Sequence, residues 1–466
     1  MIHADKMYLN TFPIHERSQF EIYIISNGAI YMSLIGMGNT NGRTLNHEEV
    51  RQVISQAAAS ISPAGKKVLV IIPDHTRTCP LPQVVRELYE FIGKKASKFD
   101  LLIALGTHTA MTDEQIDRLL GVEPGRRGEV FPDVNVFNHE WKNPESLRTI
   151  GGFTRDEVLD YLPADCEIFA RDIDVSVNVR LFDYDKVLIC GPVFPHEVVG
   201  FSGGAKYFFP GVCGEELLNF FHWLGALITI PKMIGIKDTP VRRMLHAACD
   251  MINVEKYALC MVVKGEDLAG IYFDDVKSSW SAAADLSDKL HILYTDRAYD
   301  SILSRAPLMY DELWTGGKCM YKMECVVADG GELIIYAPHI HEIAVTHGRI
   351  IEEVGYHSLP FFINQWERYK DYPWGVLAHS THVRGIGKWI NGREVPRVTV
   401  TLATGIPEET CRRIGMNYRN PASIDISQWQ GHESEGKLYV PKAGEMLYRL
   451  KNAPEWQQCN RAYSGS

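Results

Sequence analysis

The sequence predicts an α/β protein built from two lobes, each a β-sheet flanked by helices, with a cleft between them. Short apolar runs typical of strands alternate with helical patterns along most of the 466 residues, as in α/β sheets. A second series of such patterns begins near Asp300. The length suffices for two or three domains. We therefore predict one domain over residues 1–290, a second over 291–405, and a tail, 406–466, that packs back on the first.

The first lobe opens with a predicted hairpin, because Asn27–Gly28 suits a two-residue type I′ turn. Its arms are residues 21–34 on either side of this dipeptide. Buried strands follow at about 67–73 and 100–105, and a helix at about 81–95 connects them. The second lobe is predicted to contain strands at about 301–303, 332–336, 376–378 and 397–402, and a helix at about 311–329. The tail is predicted to contain a helix at about 407–414.

Polar residues follow three strands of the first lobe at the point where each strand ends. The strand at 67–73 leads into Asp74–Arg77, and the strand at 100–105 leads into Gly106–His108. A third strand, at 186–190, precedes the loop that contains His196. Open α/β sheets bind ligands at the carboxyl ends of their strands, so we expect these polar groups to form a site there.

Composition and charge exclude several classes of protein. The chain is 45% hydrophobic and 23% charged, as is usual for globular proteins, and its formal net charge of -10 argues against general nucleic-acid binding. Its longest apolar stretches, such as residues 101–105, are far too short to span a bilayer. The ten cysteines form no C-x-x-C pair, and residues 1–10 lack the apolar core of a signal peptide. We therefore expect a cytoplasmic protein.

The segment from Pro195 to Gly211 contains the most specific pattern. Gly203 and Gly204 remove side chains beside Lys206, which predicts room for a bulky group, and Ser202 with its neighbouring amides predicts an anion-binding turn. A phosphate-binding P-loop requires Gly-Lys followed by Ser or Thr, whereas Tyr207 follows Lys206 here. The alternative is a glycine-rich turn with a solvated lysine.

The combination of these segments resembles the nickel-dependent lactate racemases, whose members carry a nickel-pincer nucleotide. Lys206 follows His196 by ten residues and His222 follows Lys206 by sixteen, as in that family. The similarity continues more weakly through Lys318 and Gln365–Trp366. The residues that carry it are Asp74, His75, Thr76, Arg77, Gly106, Thr107, His108, His196, Phe201, Ser202, Gly203, Gly204, Lys206, Pro210, Gly211 and His222.

The resemblance implies a role for each of these side chains. Lys206 would hold the pincer nucleotide through a thioamide link, and His222 would be the protein ligand to nickel. His108 and His196 would be the paired acid/base groups, and Arg77 with Lys318 would bind the substrate carboxylate. The cofactor would be lined by Asp74, His75, Thr76, Arg77, Ser202, Gly203 and Gly204.

The implied reaction is racemisation or epimerisation of a 2-hydroxy acid by reversible hydride transfer from C2, through a 2-keto acid. The hydroxyl proton must leave as the hydride does, so a base on each side serves each enantiomer in turn. Imidazole suits this task, because its usual pKa near 6.5 allows it to accept and return a proton. Two soft sulfur donors, a ring carbon and one imidazole also suit square-planar Ni(II).

The chain departs from the lactate enzymes around the substrate. Thr315 stands where they have a glutamine, Thr109 follows His108 in place of an arginine, and Ala205 replaces another arginine. Gly316 and Gly317 are predicted to free volume that Tyr310, Trp314 and second-lobe histidines would line. We therefore expect a substrate larger than lactate, such as a sugar acid epimerised at C2, with lactate itself as the alternative.

Two other classes remain open from the residues alone: a metal-dependent hydrolase, and a non-catalytic nickel or nucleotide carrier. A zinc site is a further hypothesis for the second-lobe histidines, although no third ligand stands at a known spacing. Expected partners are a small 2-hydroxy acid and the enzymes that build the cofactor, with neither nucleic acid nor membrane, and the oligomeric state stays open. The histidines in question are His339, His341, His347, His379 and His382.

Overall fold

Seven strands form the larger sheet in the computed structural model, which describes residues 34–458. Its strand order is β1-β7-β6-β5-β2-β3-β4. The strands from β6 to β4 run parallel, whereas β1 and β7 pair antiparallel at the other edge. In chain order they are β1 Ile35–Gly38, β2 Lys67–Ile72, β3 Lys98–Ile103, β4 Val136–Asn138, β5 Lys186–Pro192, β6 Glu255–Lys264 and β7 Asp267–Asp274.

Alternate residues of β2 explain why this sheet is covered on both faces. Val68, Val70 and Ile72 pack into one apolar cluster, while Leu69 and Ile71 pack into another on the opposite face. A parallel strand buried on both sides needs this continuous apolar run, which the sequence contains. The helices that cover the faces are α1 His47–Ile61, α2 Leu81–Leu88, α3 Asp113–Leu119, α4 Glu215–Ile228, α5 Pro240–Asp250 and α6 Val276–His291.

The second sheet has five parallel strands among the described residues, in the order β11-β10-β9-β8-β12. Two of them, β11 and β12, come from the chain after residue 406, so this part of the tail joins the second sheet and differs from the prediction that it packs on the first. The strands are β8 Tyr299–Arg305, β9 Val327–Ala337, β10 Thr399–Thr404, β11 Asn417–Tyr418 and β12 Lys437–Val440.

The rest of the tail contacts the chain on both sides of the predicted domain boundary near residue 290. Leu447–Leu450 pairs in parallel with Ile292–Thr295, and Arg449 donates a hydrogen bond to the carbonyl of Ile234 at 2.7 Å. The α/β fold class is confirmed, and the division into two domains stays a prediction. The remaining helices of at least six residues are α7 Gly348–Val354, α8 Leu359–Asn364, α9 Trp374–Arg384 and α10 Glu408–Arg413.

Two predictions of secondary structure in the chain after residue 290 are wrong. The helix expected over 311–329 is divided into Leu313–Gly316 and Lys318–Tyr321, followed by a 3-10 turn and β9, although Gly317 between the two helices keeps a helical φ of -53°. The strand expected over 376–378 lies inside α9. A short apolar run fits either element, and here Pro373 and Gly385, at a φ of 82°, bound a helix.

The predicted hairpin at 21–34 lies outside the described residues except for Leu34. Helix α3 begins with a capping box formed by Thr112 and Gln115. The helix predicted at 81–95 is α2, extended by a wider turn at Tyr89–Gly93. Within residues 34–458, the helices are all too short or too polar to cross a membrane.

Candidate active site

The loops after β2, β3 and β5 enclose a cavity of about 140 Å³. These strands are parallel neighbours, with β2 in the middle, so their carboxyl ends meet at one edge of the sheet. Residues from the part of the chain after residue 290 line the rest of the cavity. The cavity is lined, among others, by Asp74, Arg77, His108, His196, Ser202, Gly203, Lys206, His222, Trp314, Thr315, Lys318, Tyr321, His379 and His382.

Asp74 and His108 form a hydrogen-bonded pair at this edge. The carboxylate Oδ2 of Asp74 lies 2.5 Å from Nδ1 of His108, and its Oδ1 accepts from the amide and hydroxyl of Thr76 at 3.0 and 2.5 Å. Burial alone would raise the pKa of Asp74, but His108, Arg77 and Thr76 hold it well below its usual range. A charged Asp74 keeps the proton of His108 on Nδ1, which leaves Nε2 as an acceptor towards the cavity.

His196 has the opposite tautomer. Its Nδ1 accepts a hydrogen bond from the amide of Val198 at 3.1 Å, so in the neutral ring the proton lies on Nε2. Burial, together with the charges of Lys206 and Arg77, lowers the pKa of His196 well below its usual value. Lys322 holds the preceding residue in place, because its ammonium donates to the carbonyl of Pro195 at 2.5 Å. His196 therefore offers a hydrogen-bond donor where His108 offers an acceptor.

Three cationic side chains face the cavity: Arg77, Lys206 and Lys318. None of them makes an ion pair within 4 Å or a side-chain hydrogen bond among residues 34–458, although Lys318 Nζ lies 4.6 Å from the centre of the Tyr310 ring. Desolvation, and next the charge of Arg77, lowers the pKa of Lys206 to about 8 and that of Lys318 to about 7. Such a group of unpaired cations is suited to binding a carboxylate or another anion.

The glycines of the loop also have a packing role. Gly203 and Gly204 adopt φ of 79° and 57°, which glycine tolerates best. A Cβ atom at Gly203 would lie 2.5 Å from Val193, and one at Gly204 would lie 2.7 Å from Trp280, so both positions require glycine for close packing. Gly203 also lines the cavity, and the approach of a bulky group beside Lys206 stays a prediction.

Ser202 is also engaged within the loop. Its hydroxyl accepts from the amide of Phe194 at 2.9 Å and donates to the carbonyl of Pro192 at 3.3 Å. The indole of Trp280 donates to the carbonyl of Ser202 at 2.9 Å. These bonds fix the turn from which Lys206 projects, with its amine towards the cavity.

His222 reaches the cavity from the middle of α4. Its Nδ1 donates to the carbonyl of Leu218 one turn earlier, at 2.7 Å, and its Nε2 has no partner among the described residues. Burial lowers the pKa of His222. A neutral imidazole with one nitrogen tied to a backbone carbonyl and the other free is the usual form of a metal-binding histidine.

The chain after residue 290 contributes Trp314, His379 and His382 to the lining of the cavity. The Trp314 ring stacks on His379, with centroids 3.7 Å apart, and its centroid lies 4.7 Å from that of His347. A Cβ atom at Gly317 would lie 2.7 Å from Val383, and one at Gly316 3.0 Å from Ile340. The volume expected from these glycines is therefore filled by packing against α9 and Ile340.

Not every predicted residue reaches the cavity. His75 is exposed and lies outside it, and Thr76 lines a smaller neighbouring cavity beside Arg77. Glu197 lines both cavities and was not predicted from the sequence, since a single carboxylate next to His196 forms no pattern of its own. Its charge raises the pKa of Lys206 and Lys318 and partly offsets the three cations.

The zinc hypothesis for the second-lobe histidines finds no support. Across residues 34–458, no three His, Cys, Asp or Glu side chains are grouped so that they could hold a metal ion. His379 and His382 line the cavity and His347 lines an adjoining one, which agrees with the expectation that several of these histidines line a pocket. Nε2 of His339 instead bonds to the carbonyl of Tyr310 at 3.0 Å.

Comparisons with known proteins find similarity to lactate racemases. The profile of the lactate racemase N-terminal domain matches residues 33–161 and 164–231. A curated lactate racemase from Thermoanaerobacterium thermosaccharolyticum is 22% identical over 289 residues, which is 61% of this chain and 62% of that protein.

Two solved structures share the fold over most of the chain. A crystal structure of a Thermotoga maritima protein has a TM-score of 0.79 and 32% identity, covering 88% of this chain and 99% of the other. The lactate racemase apoprotein from T. thermosaccharolyticum has a TM-score of 0.66 and 17% identity, covering 87% and 93%.

Proposed function

Residues 33–161 and 164–231 match the lactate racemase N-terminal domain, and from this premise we propose that the chain is a member of that family and an isomerase, a racemase or epimerase of 2-hydroxy acids. One observation carries the proposal: a single cavity is lined by two histidines in opposite tautomers and by cationic side chains that make no ion pair among the described residues. His108 offers an acceptor and His196 a donor, and Arg77 and Lys318 offer positive charge to a carboxylate. The proposed substrate is a 2-hydroxy acid larger than lactate, such as a sugar acid, and lactate itself is the alternative.

The described residues fit the nickel-pincer nucleotide that the family resemblance implies. Lys206 projects an unpaired amine whose pKa is about 8, so a larger fraction of it is neutral near pH 7 than of an ordinary lysine, which favours a covalent link. His222 leaves Nε2 free for nickel. When bound, this group would supply the acceptor for the hydrogen on C2.

The residues of the chain would handle the carboxylate and the hydroxyl. Arg77 and Lys318 would hold the carboxylate, so that C2 is fixed in the cavity. His108 would take the hydroxyl proton at Nε2, while Asp74 stabilises the resulting imidazolium. His196 would donate a hydrogen bond from Nε2 to the same oxygen, and the proton returned to that oxygen when the other enantiomer is formed would be the one that His108 took up.

The two rival classes fit these residues less well. A metal-dependent hydrolase needs about three protein ligands around its metal, and no group of three occurs within residues 34–458. A carrier of nickel or nucleotide would have no need for the Asp74–His108 pair. Replacing His108 therefore separates an enzyme from a carrier, because only an enzyme would lose turnover.

An isotope at C2 tests the proposed reaction. A substrate deuterated at C2 and incubated in normal water should keep most of its deuterium after inversion, because a hydrogen held on carbon does not exchange with solvent. Mass spectrometry of the product measures the retained label. A racemase that removes C2–H as a proton would instead lose the label through an exchangeable nitrogen or oxygen. Rapid loss during epimerisation would contradict the hydride mechanism.

The pKa of Lys318 predicts how substrate binding depends on pH. A 2-hydroxy carboxylate is ionised throughout pH 6–9, whereas Lys318, with a pKa of about 7, is charged only at the lower end of this range. KM should therefore rise as the pH increases through 7. The Lys318→Arg variant should show a flatter KM profile, because arginine stays charged. Identical pH profiles for both proteins would contradict a role for Lys318 in carboxylate binding.

A further inference from the structure

A second cavity, of about 560 Å³, adjoins the catalytic cavity. The two share Thr107, Leu218, His222 and Trp314 as lining residues, so they meet beside the imidazole proposed to bind nickel. A three-carbon acid anchored on Arg77 and Lys318 has no atoms to place there. The volume can accept a longer chain that continues beyond C2.

The wall between the two cavities carries neutral imidazoles. His382 lies on the catalytic side, and its buried Nε2 has no hydrogen-bond partner among the described residues. Burial lowers the pKa of His382 to about 3. His347 lies on the far side, where burial lowers its pKa to about 4 and its Nε2 approaches Thr107 Oγ1 at 3.5 Å. An unpaired buried nitrogen is costly unless a ligand group pairs with it.

The ring of Trp314 contacts both His347 and His379 and lines both cavities. Because His379 stacks on this ring, a chain of CH–OH units would contact only the part of Trp314 that lines the cavities, beside neutral hydrogen-bonding imidazoles. The charged side chains of the adjoining cavity are Glu215, Glu216 and Lys142, so carboxylates outnumber cations there. A second carboxylate on the ligand would therefore be repelled.

We propose that the substrate is a monocarboxylate with a neutral hydroxylated tail, which passes Trp314 and His382 into the adjoining cavity. This inference rests on the proposed function, since the carboxylate is taken to be held by Arg77 and Lys318. His382 is a specificity-determining residue that pairs its Nε2 with a hydroxyl beyond C2.

Kinetics with three acids test this inference on the cofactor-loaded protein. We expect kcat/KM for gluconate to exceed that for lactate by about tenfold or more, and that for glucarate, its dicarboxylate, to be lower than for gluconate. The His382→Leu variant should reduce the gluconate-to-lactate ratio by about tenfold, the value of one well-formed hydrogen bond. His382→Gln should restore part of the ratio, because its amide can still pair.

Two further variants keep the test decisive. The His347→Leu variant, whose change lies in the adjoining cavity, should also reduce the gluconate-to-lactate ratio of kcat/KM. This second variant tests the inference even if the His382→Leu protein folds poorly. His341→Gln changes an exposed histidine outside both cavities and should leave the ratio as it was. A ratio unchanged in the His382 and His347 variants, or a preference for lactate or glucarate, would overturn the inference.

Calorimetric titration separates this inference from the proposed function. Binding of gluconate does not require turnover, and His382→Leu should raise its dissociation constant by about tenfold. If no acid is isomerised while gluconate binds in a manner that depends on His382, the proposed function fails, and what stands is a binding site for a hydroxylated monocarboxylate that pairs with His382. If acids are isomerised without any effect of His382, the inference alone fails.

Discussion

Lys206→Ala protein should carry no covalent adduct after co-expression with the enzymes that build the pincer nucleotide, and its racemase activity should be lost. The expected effect is complete, because an alanine offers no amine and Lys206 is the proposed point of attachment. Intact-mass measurement checks the adduct directly, since the unaltered chain should be heavier than its sequence by one cofactor.

A second lysine of the same cavity provides the control. Lys318→Ala removes an amine of similarly lowered pKa but should keep the adduct on Lys206. His222→Ala should also keep the adduct while losing nickel, which elemental analysis measures. An adduct on the Lys206→Ala protein, or stoichiometric zinc without any adduct in the unaltered protein, would contradict the cofactor assignment.

Replacing Asp74 or His108 should reduce turnover by roughly a hundredfold or more, the usual contribution of a positioned acid/base group. Asp74→Asn removes the charge that holds the His108 proton on Nδ1, so Nε2 is no longer kept as an acceptor. His108→Ala removes the acceptor itself. Because the two act as a unit, the double variant should be scarcely slower than His108→Ala, which kcat measurements on all three proteins check.

A similar pair elsewhere in the chain provides the control. His357 Nδ1 lies 2.6 Å from a Glu394 carboxylate oxygen, and neither residue lines the catalytic cavity. Glu394→Gln should therefore alter stability rather than turnover. His196→Ala should also lower turnover with cofactor content nearly normal. Full activity in both the His108 and the His196 variants would remove these residues from the mechanism.

Parallel strands explain why much of the site could be predicted from sequence. Apolar runs at β2, β3 and β5 mark buried strands, and side chains that follow them must gather at one edge. Asp74, Arg77, His108, His196 and Lys206 indeed line one cavity. The same reasoning failed for α9, since its short apolar run fits a strand equally well, and only its packing against α4 decides the matter.

The linear sequence determined which chemical groups are present and which strand ends carry them, because burial on both faces of a parallel sheet demands a recognisable pattern. The tertiary structure alone decided how those groups are paired. Asp74 meets His108 from a neighbouring strand, and the amide of Val198 fixes His196 in the opposite tautomer. Gly316 and Gly317, which predicted open space, instead pack against Ile340 and Val383, since whether a missing Cβ leaves a void depends on which atoms of the folded chain pack there.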